Sequence, residues 1–191
     1  RTLPTGTKMQ TLDEVERVFV DKDLSICNGE EPMCIGGVFG GINSGVKDTT
    51  KNIFLESAYF DPVYVRKTAR RHGLSTDASF RFERGVDPNS VVYALKRAAI
   101  MIKKIAGGTI SSEIIDVYPE PIKDFNVNVS YANITRLIGK DLGTKTIKNI
   151  LESLEIRIDS ESEKGLSLLV PPFRVDVKRE ADVIEEILRI Y

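Results

Sequence analysis

One histidine, two cysteines and no tryptophan in 191 residues set the first limits on this chain. A Ser–His–Asp triad would have to be built on His72, and nothing in the sequence pairs that residue with a nucleophile. Cys27 and Cys34 match no common zinc spacing and are too few for a disulfide framework. They read as reduced, largely structural thiols of a cytoplasmic protein. No run approaches the ~18 apolar residues of a membrane-spanning helix. There is no internal repeat and no low-complexity segment. The net charge of -1 argues against a general nucleic-acid coat, which needs a clear basic excess.

Enough is present for folded cores: 41% of residues are hydrophobic. The chain opens on Arg1-Thr-Leu-Pro without an initiator Met and stops at Tyr191 inside an amphipathic run, so a piece of a longer protein is expected. Short strands are expected over Arg17–Val20, Met33–Val38 and Asn52–Ala58, separated by Asp, Asn, Gly and Pro turns. Asp61-Pro62 is a helix start, and Gly73 is placed to end that helix just past His72. Ala78, Phe80 and Phe82 alternate with polar residues, which predicts a half-buried strand. Asp87-Pro88 repeats the start signal before a helix from Val91 to Ile105, closed by Gly107-Gly108. Glu113–Val117 reads as a further strand, and Pro119-Glu-Pro121 as a linker. Beyond it lie a strand from Phe125 to Val129, a helix capped by Ser130 and ending at Gly139, and a helix capped by Thr144 and running through Leu154. A hairpin of Glu155–Asp159 with Leu166–Val170 follows, then a last helix from about Arg179. The fold class is α+β.

Four segments carry possible chemistry. Gly36-Gly-Val-Phe-Gly-Gly41 allows close backbone approach to a ligand, or simply a tight strand-to-loop transition. It fits neither standard nucleotide-binding loop. Glu56 is the one charge in an otherwise hydrophobic run: either an outward-facing polar residue, or a partly buried acceptor for one ligand hydrogen bond. Arg66, Lys67, Arg70, Arg71, Arg81 and Arg84 make a local basic region around His72. The histidine and its neighbours suit a helix C-terminus, and a phosphate or ribose contact is the other reading. Asp182, Glu185 and Glu186 share one helix face, with Asp176 upstream. This is a solvated acidic stripe, or a set of oxygen ligands for a cation such as Mg²⁺.

Read together, Gly36-Gly-Val-Phe-Gly-Gly-Ile-Asn-Ser-Gly-Val46, Leu55-Glu-Ser-Ala-Tyr-Phe60, Arg70-Arg-His-Gly-Leu-Ser-Thr-Asp-Ala-Ser79, Arg81-Phe-Glu-Arg-Gly-Val-Asp-Pro88, Pro172-Phe-Arg-Val-Asp176 and Asp182-Val-Ile-Glu-Glu186 resemble the beta subunit of bacterial phenylalanyl-tRNA synthetase. The resemblance implies a mixed α/β editing domain over residues 1–120. A small α/β module resembling DNA-binding folds is implied over residues 122–191. It places editing-pocket positions on Gly37, Gly40, Glu56, Thr76 and Ala78, and Mg²⁺ ligands shared with the alpha subunit on Asp176, Asp182, Glu185 and Glu186. A family segment carrying an editing-site histidine falls before Arg1.

The implied function is hydrolysis of mischarged Tyr-tRNA(Phe) within an alpha2beta2 phenylalanine–tRNA ligase. Its partners are the alpha subunit and tRNA(Phe), and no membrane is involved. ATP is used by the holoenzyme and is not bound by these residues. The alternative is a non-catalytic scaffold that positions tRNA or docks the alpha subunit; a free-standing hydrolase is the weaker third reading.

Overall fold

A computed structural model describes all 191 residues. The chain divides into two compact units, Arg1–Asp116 and Val117–Tyr191. No helix is long and apolar enough to cross a membrane.

The first unit begins with two small antiparallel sheets. β1 (Lys8–Gln10) pairs with β2 (Glu16–Val18), while β3 (Ser25–Cys27), β4 (Pro32–Ile35) and β5 (Phe39–Gly40) form a second sheet in that order. A single bridge between Thr11 and Gly41 joins the two. α1 (Pro62–Arg71) starts as expected, because the Asp61 carboxylate accepts hydrogen bonds from the amides of Val63 and Tyr64 ahead of Pro62. It buries Val65, Thr68 and Ala69. Val65 and Ala69 join Leu3, Met9, Phe19, Ile35 and Val38 in the core.

The run around Ala78 is a helix and not the expected strand. α2 (Asp77–Phe82) is nucleated by a capping box in which Thr76 Oγ1 accepts from the Ser79 amide (3.0 Å) and Ser79 Oγ accepts from the Thr76 amide (2.9 Å). Two local hydrogen bonds outweigh a five-residue alternation, and Ser79 is the only buried residue of α2. Phe82 packs edge-on against Phe60, with ring centroids 5.1 Å apart.

The expected strands at Asn52–Ala58 and Glu113–Val117 do not form either. No neighbouring strand pairs with them, and an apolar run without a ladder partner joins no sheet. Between them, a short 3₁₀ turn at Pro88–Ser90 leads into α3 (Val91–Ala106), which Gly107 terminates at φ 76°.

The second unit is a three-stranded antiparallel sheet with helices on one face. β6 (Phe125–Ser130) and β7 (Arg157–Ser162) flank the central β8 (Gly165–Val170). The hairpin strands reach further than the sequence suggested: Ser162 pairs with Gly165 across a two-residue turn. α4 (Tyr131–Ile138) is capped by Ser130 Oγ on the Asn133 amide and closed by Gly139 in the left-handed region, φ 80°. α5 (Thr144–Ser153) lacks a side-chain cap, because Thr144 is its first helical residue. α6 (Glu180–Ile190) completes the unit. Alternate residues of β8 (Leu166, Leu168 and Val170) meet Ile134, Leu151, Val183 and Ile187 in one continuous core.

The start of α6 is held by Asp182. Its Oδ2 accepts from the amides of Lys178 (3.1 Å) and Arg179 (2.9 Å), and its Oδ1 from Arg179 Nη2 (2.8 Å). The Arg179 guanidinium and these amides favour the ionised carboxylate, pulling its pKa down to about 2.

Two outcomes are expected. Leu168→Ala removes a fully buried side chain from the central strand and lowers stability by about 2–5 kcal/mol, read from urea unfolding. For Asp182 the folded pKa lies below the ~3.9 of an unfolded Asp, so its contribution is complete above about pH 4 and fades as pH falls toward 2. Asp182→Asn is therefore less stable than wild type at pH 7. The gap between their urea midpoints closes over that acidic window and nowhere else.

Candidate functional site

The β4–β5 connection and the N-terminus of α2 are locked together by one side chain. Thr76 Oγ1 donates to the Val38 carbonyl at 2.6 Å while accepting from the Ser79 amide. Val38 lies between Gly37 and Gly40, so the glycine segment and Thr76 form one group. Gly37 sits at φ 70°, and a Cβ there would come within 2.9 Å of the Phe60 ring and 3.1 Å of Val65. Both conformation and space demand glycine at this position. At Gly40, in β5, an added Cβ would come within 3.0 Å of Leu12. The tight-turn reading of this segment describes its geometry well, and the turn leaves its backbone beside Thr76.

Glu56 is exposed, on a stretch that belongs to no helix or sheet. The stretch is fastened next door, where Ser57 Oγ donates to the Val91 carbonyl at 3.0 Å. Partial loss of hydration raises the Glu56 pKa above the ordinary glutamate range. Its charge is felt by Cys34, whose thiol is pushed up first by burial and further by the Glu56 carboxylate. Cys34 lies directly across from Gly40 in the β4–β5 pair. The structure thus brings Gly37, Gly40 and Thr76 together, with Glu56 in electrostatic range of Cys34 at the same strand pair. Ala78 is exposed on the first turn of α2 and is connected to this group through the chain, two residues after Thr76.

His72 is turned inward. Its side chain is only 6% exposed, its Nε2 lies 3.0 Å from Asp23 Oδ2, and its ring stands edge-on to Phe19. That removes it from contact with a phosphate or ribose. Asp23, fully buried, also pairs with Arg71 and accepts from the Val20 amide at 3.0 Å. Sequence reading missed Asp23, which sits in a polar Asp-Lys-Asp run. The one hint was that a lone histidine beside two arginines needs an acceptor.

The C-terminal acids are not gathered into a metal-holding group. Asp182 is committed to Arg179 and two amides, and both Glu186 oxygens are taken, one by Arg174 (3.1 Å) and one by Arg189 (2.8 Å). Asp176 and Glu185 are exposed on either side. No cluster of three or more His, Cys, Asp or Glu side chains is placed to hold a metal ion. In this arrangement guanidinium groups supply the opposing charge for Asp182 and Glu186, while Asp176 and Glu185 meet none.

Two open grooves lie elsewhere. One of about 610 Å³ runs between α3 and residues 110–114, and one of about 480 Å³ lies against the β6–β8–β7 sheet. Neither is lined by Gly37, Gly40, Glu56, Thr76 or Ala78.

Comparison with known proteins places these features. Residues 1–107 match the B3/4 domain, and residues 127–191 match the tRNA synthetase B5 domain. The whole chain is 61% identical to the phenylalanine–tRNA ligase beta subunit of Bacteroides thetaiotaomicron and spans 23% of its length. It is 50% identical to that of Porphyromonas gingivalis, again over 100% of the chain and 23% of the relative. With the subunit of Carboxydothermus hydrogenoformans the identity is 44%, over 99% of the chain and 24% of the relative. The chain thus spans about a quarter of the length of the curated relatives it matches. It belongs to the B3/4 domain family, carries a match to the tRNA synthetase B5 domain after it, and is similar along its whole length to part of the phenylalanine–tRNA ligase beta subunit.

Proposed function

We propose that the first unit is the hydrolytic editing module of a phenylalanine–tRNA ligase, removing tyrosine wrongly attached to tRNA(Phe). It acts in the cytoplasm within an assembly with the alpha subunit, where ATP is consumed in the charging reaction. The need follows from elementary recognition. An apolar pocket for phenylalanine cannot strongly reject a ligand that adds one hydroxyl, whereas a second site built to bind that hydroxyl rejects phenylalanine well.

The observation that carries this reading is the setting of Glu56: an exposed carboxylate whose pKa is raised by burial around it and whose charge raises the thiol of Cys34, the residue across from Gly40. Such a group regains stabilisation from one donated hydrogen bond, which the tyrosyl hydroxyl supplies and phenylalanine does not. The Gly37–Gly40 backbone, fixed by Thr76 on Val38, borders the ester, and Ala78 is a small neighbour that leaves room. Water is the nucleophile on this proposal. Burial keeps the Cys34 sulfur protonated, and the His72 ring is engaged by Asp23 inside the unit. No step runs through Mg²⁺.

In a holoenzyme assembled with an intact beta subunit, Glu56→Ala should slow Tyr-tRNA(Phe) hydrolysis by roughly one to two decades. That corresponds to losing a charged hydrogen bond worth about 1.5–3 kcal/mol. Phenylalanine charging stays near the wild-type rate. Equal loss of both activities would assign Glu56 to folding and leave the scaffold reading standing.

A pH profile gives a separate check. Only the ionised carboxylate accepts the hydrogen bond, and its pKa is raised. Editing by the wild type should therefore decline on acidification from above the ordinary glutamate range. Glu56→Gln should be slow and lack that limb, so an identical acid limb in both proteins would assign the titration to another group.

A further inference from the structure

The outer face of α1 carries charge that the fold does not use. Val65, Thr68 and Ala69 point into the core, which leaves Val63, Arg66, Lys67 and Arg70 on the opposite, exposed side at i, i+3, i+4 and i+7. Arg71, one residue further, is spent on the buried carboxylate of Asp23. Lys67 and Arg70 enter no ion pair, and Arg66 donates only to a neutral acceptor, the Glu83 carbonyl, at 3.0 Å. Cations at 66 and 70 repel at the i, i+4 spacing, only partly offset by the helix C-terminus. A solvated helix face has no need of such a cluster, and nearby carboxylates would have removed the cost.

The Arg66–Glu83 bond ties this face to the end of α2, where a second feature stands. Phe80 is 54% exposed, and the Arg84 guanidinium lies 3.6 Å over its ring while Arg84 Nη1 donates to the Phe80 carbonyl at 2.9 Å. An exposed aromatic ring braced by a guanidinium plane is a stacking platform rather than a core element. Arg81, on the same short helix, meets only the fully exposed Asp77 at 3.8 Å. From Arg66 to Arg84 the sequence holds six Lys or Arg side chains against two carboxylates, in a chain whose net charge is -1. Arg84 also meets Glu83 at 3.1 Å, so the charge without a counter-charge is that of Arg66, Lys67 and Arg70. Unanswered cations beside an exposed stacking surface are complementary to a polyanion with flat bases. An acidic protein surface would satisfy the cations but gives no reason for Phe80.

We propose that this face of α1 and α2 binds single-stranded RNA, with backbone phosphates on Arg66, Lys67 and Arg70 and one base stacked on the Phe80–Arg84 pair. The strand is the 3′ end of the tRNA, an identification that rests on the editing reading above. Thr76 caps α2 and bonds to Val38, so a strand held here is delivered toward the Gly37–Gly40 segment.

The test uses the full chain and a fluorescein-labelled single-stranded RNA of about twelve nucleotides, several times the smallest single-strand site sizes, with affinity read by anisotropy at several salt concentrations. The triple variant Arg66→Gln/Lys67→Gln/Arg70→Gln should bind at least tenfold more weakly. Its slope of log affinity against log salt should be shallower by about two, at roughly 0.7 for each phosphate no longer neutralised. Phe80→Leu should weaken binding by about fivefold or more with the slope unchanged, as loss of stacking requires. A charge-matched control, Lys22→Gln/Lys47→Gln/Lys51→Gln, should keep most of the affinity. An equal loss in that control would reduce the effect to net charge and overturn the proposal. Wild-type affinity and slope in the first triple variant would do the same. No aminoacylated substrate enters this assay, so a pocket that edits nothing leaves its result intact. Failure here leaves the Glu56→Ala test of the pocket standing.

Discussion

The first unit depends on a buried carboxylate. Asp23 is fully enclosed and would be costly to hold there alone, yet it receives Arg71, His72 and the Val20 amide. Two of those donors lie at the end of α1, and the third lies in the strand-rich N-terminal part. Arg17 reinforces the joint by donating to the His72 carbonyl at 2.5 Å and to Asp13 at 2.5 Å. The rotation of α1 about its axis is thereby fixed. That rotation puts Val65 and Ala69 in the core, and Val65 against Gly37. The position of the glycine turn, and with it the carbonyl that Thr76 grips, follows from this packing.

The same rotation sorts the basic residues. Six cations between 66 and 84 look equivalent in the sequence, and the fold makes them unequal. Arg71 is consumed by structure, Arg84 is held over an aromatic ring, and Arg66, Lys67 and Arg70 are left facing water. In the second unit the charges are spent differently. Asp182 and Glu186, which share a helix face, are each neutralised by arginines, so their repulsion is relieved without a metal. An acid stripe alone does not reveal whether a cation or a guanidinium answers it. Arg174 and Arg179 were visible in the sequence, but their reach was not.

What was legible follows from how local the determining interaction is. The starts of α1 and α4, and the ends of α3 and α4, are set by Asp61-Pro62, Ser130, Gly107 and Gly139 acting on amides a few residues away. These could be read directly. The strand expected at Ala78–Phe82 failed because the Thr76–Ser79 capping box is equally local and outweighs the alternation. Asn52–Ala58 and Glu113–Val117 failed for the opposite reason, since a strand is a property of a pair and a short apolar run says nothing about a partner. Gly37, Gly40, Glu56, Thr76 and Ala78 entered through family resemblance rather than through periodicity. Burial of Asp23 was not legible at all, because it depends on donors 48 and 49 residues away.

These contrasts bear on how the proposed pocket would discriminate. Its backbone wall is rigid for stated reasons: Gly37 is crowded by Phe60 and Val65, and Val38 is bonded to a capped helix terminus. Glu56 lies instead on a stretch outside any helix or sheet, fastened by the Ser57–Val91 bond and by the partial burial of Leu55 and Phe60. Selectivity of this kind does not require the carboxylate to be held as firmly as the ester. The tyrosyl hydroxyl is the terminal atom of its side chain, and one charged hydrogen bond is tolerant of small displacements along the acceptor. What discrimination does require is that water should not satisfy Glu56 as well as the hydroxyl does. Burial around the carboxylate, which raises its pKa, works in that direction even though the side chain is exposed. On the editing proposal the glycine turn and Glu56 would meet separate demands of the reaction: placement of the bond to be broken, and recognition of the side chain that should not be there.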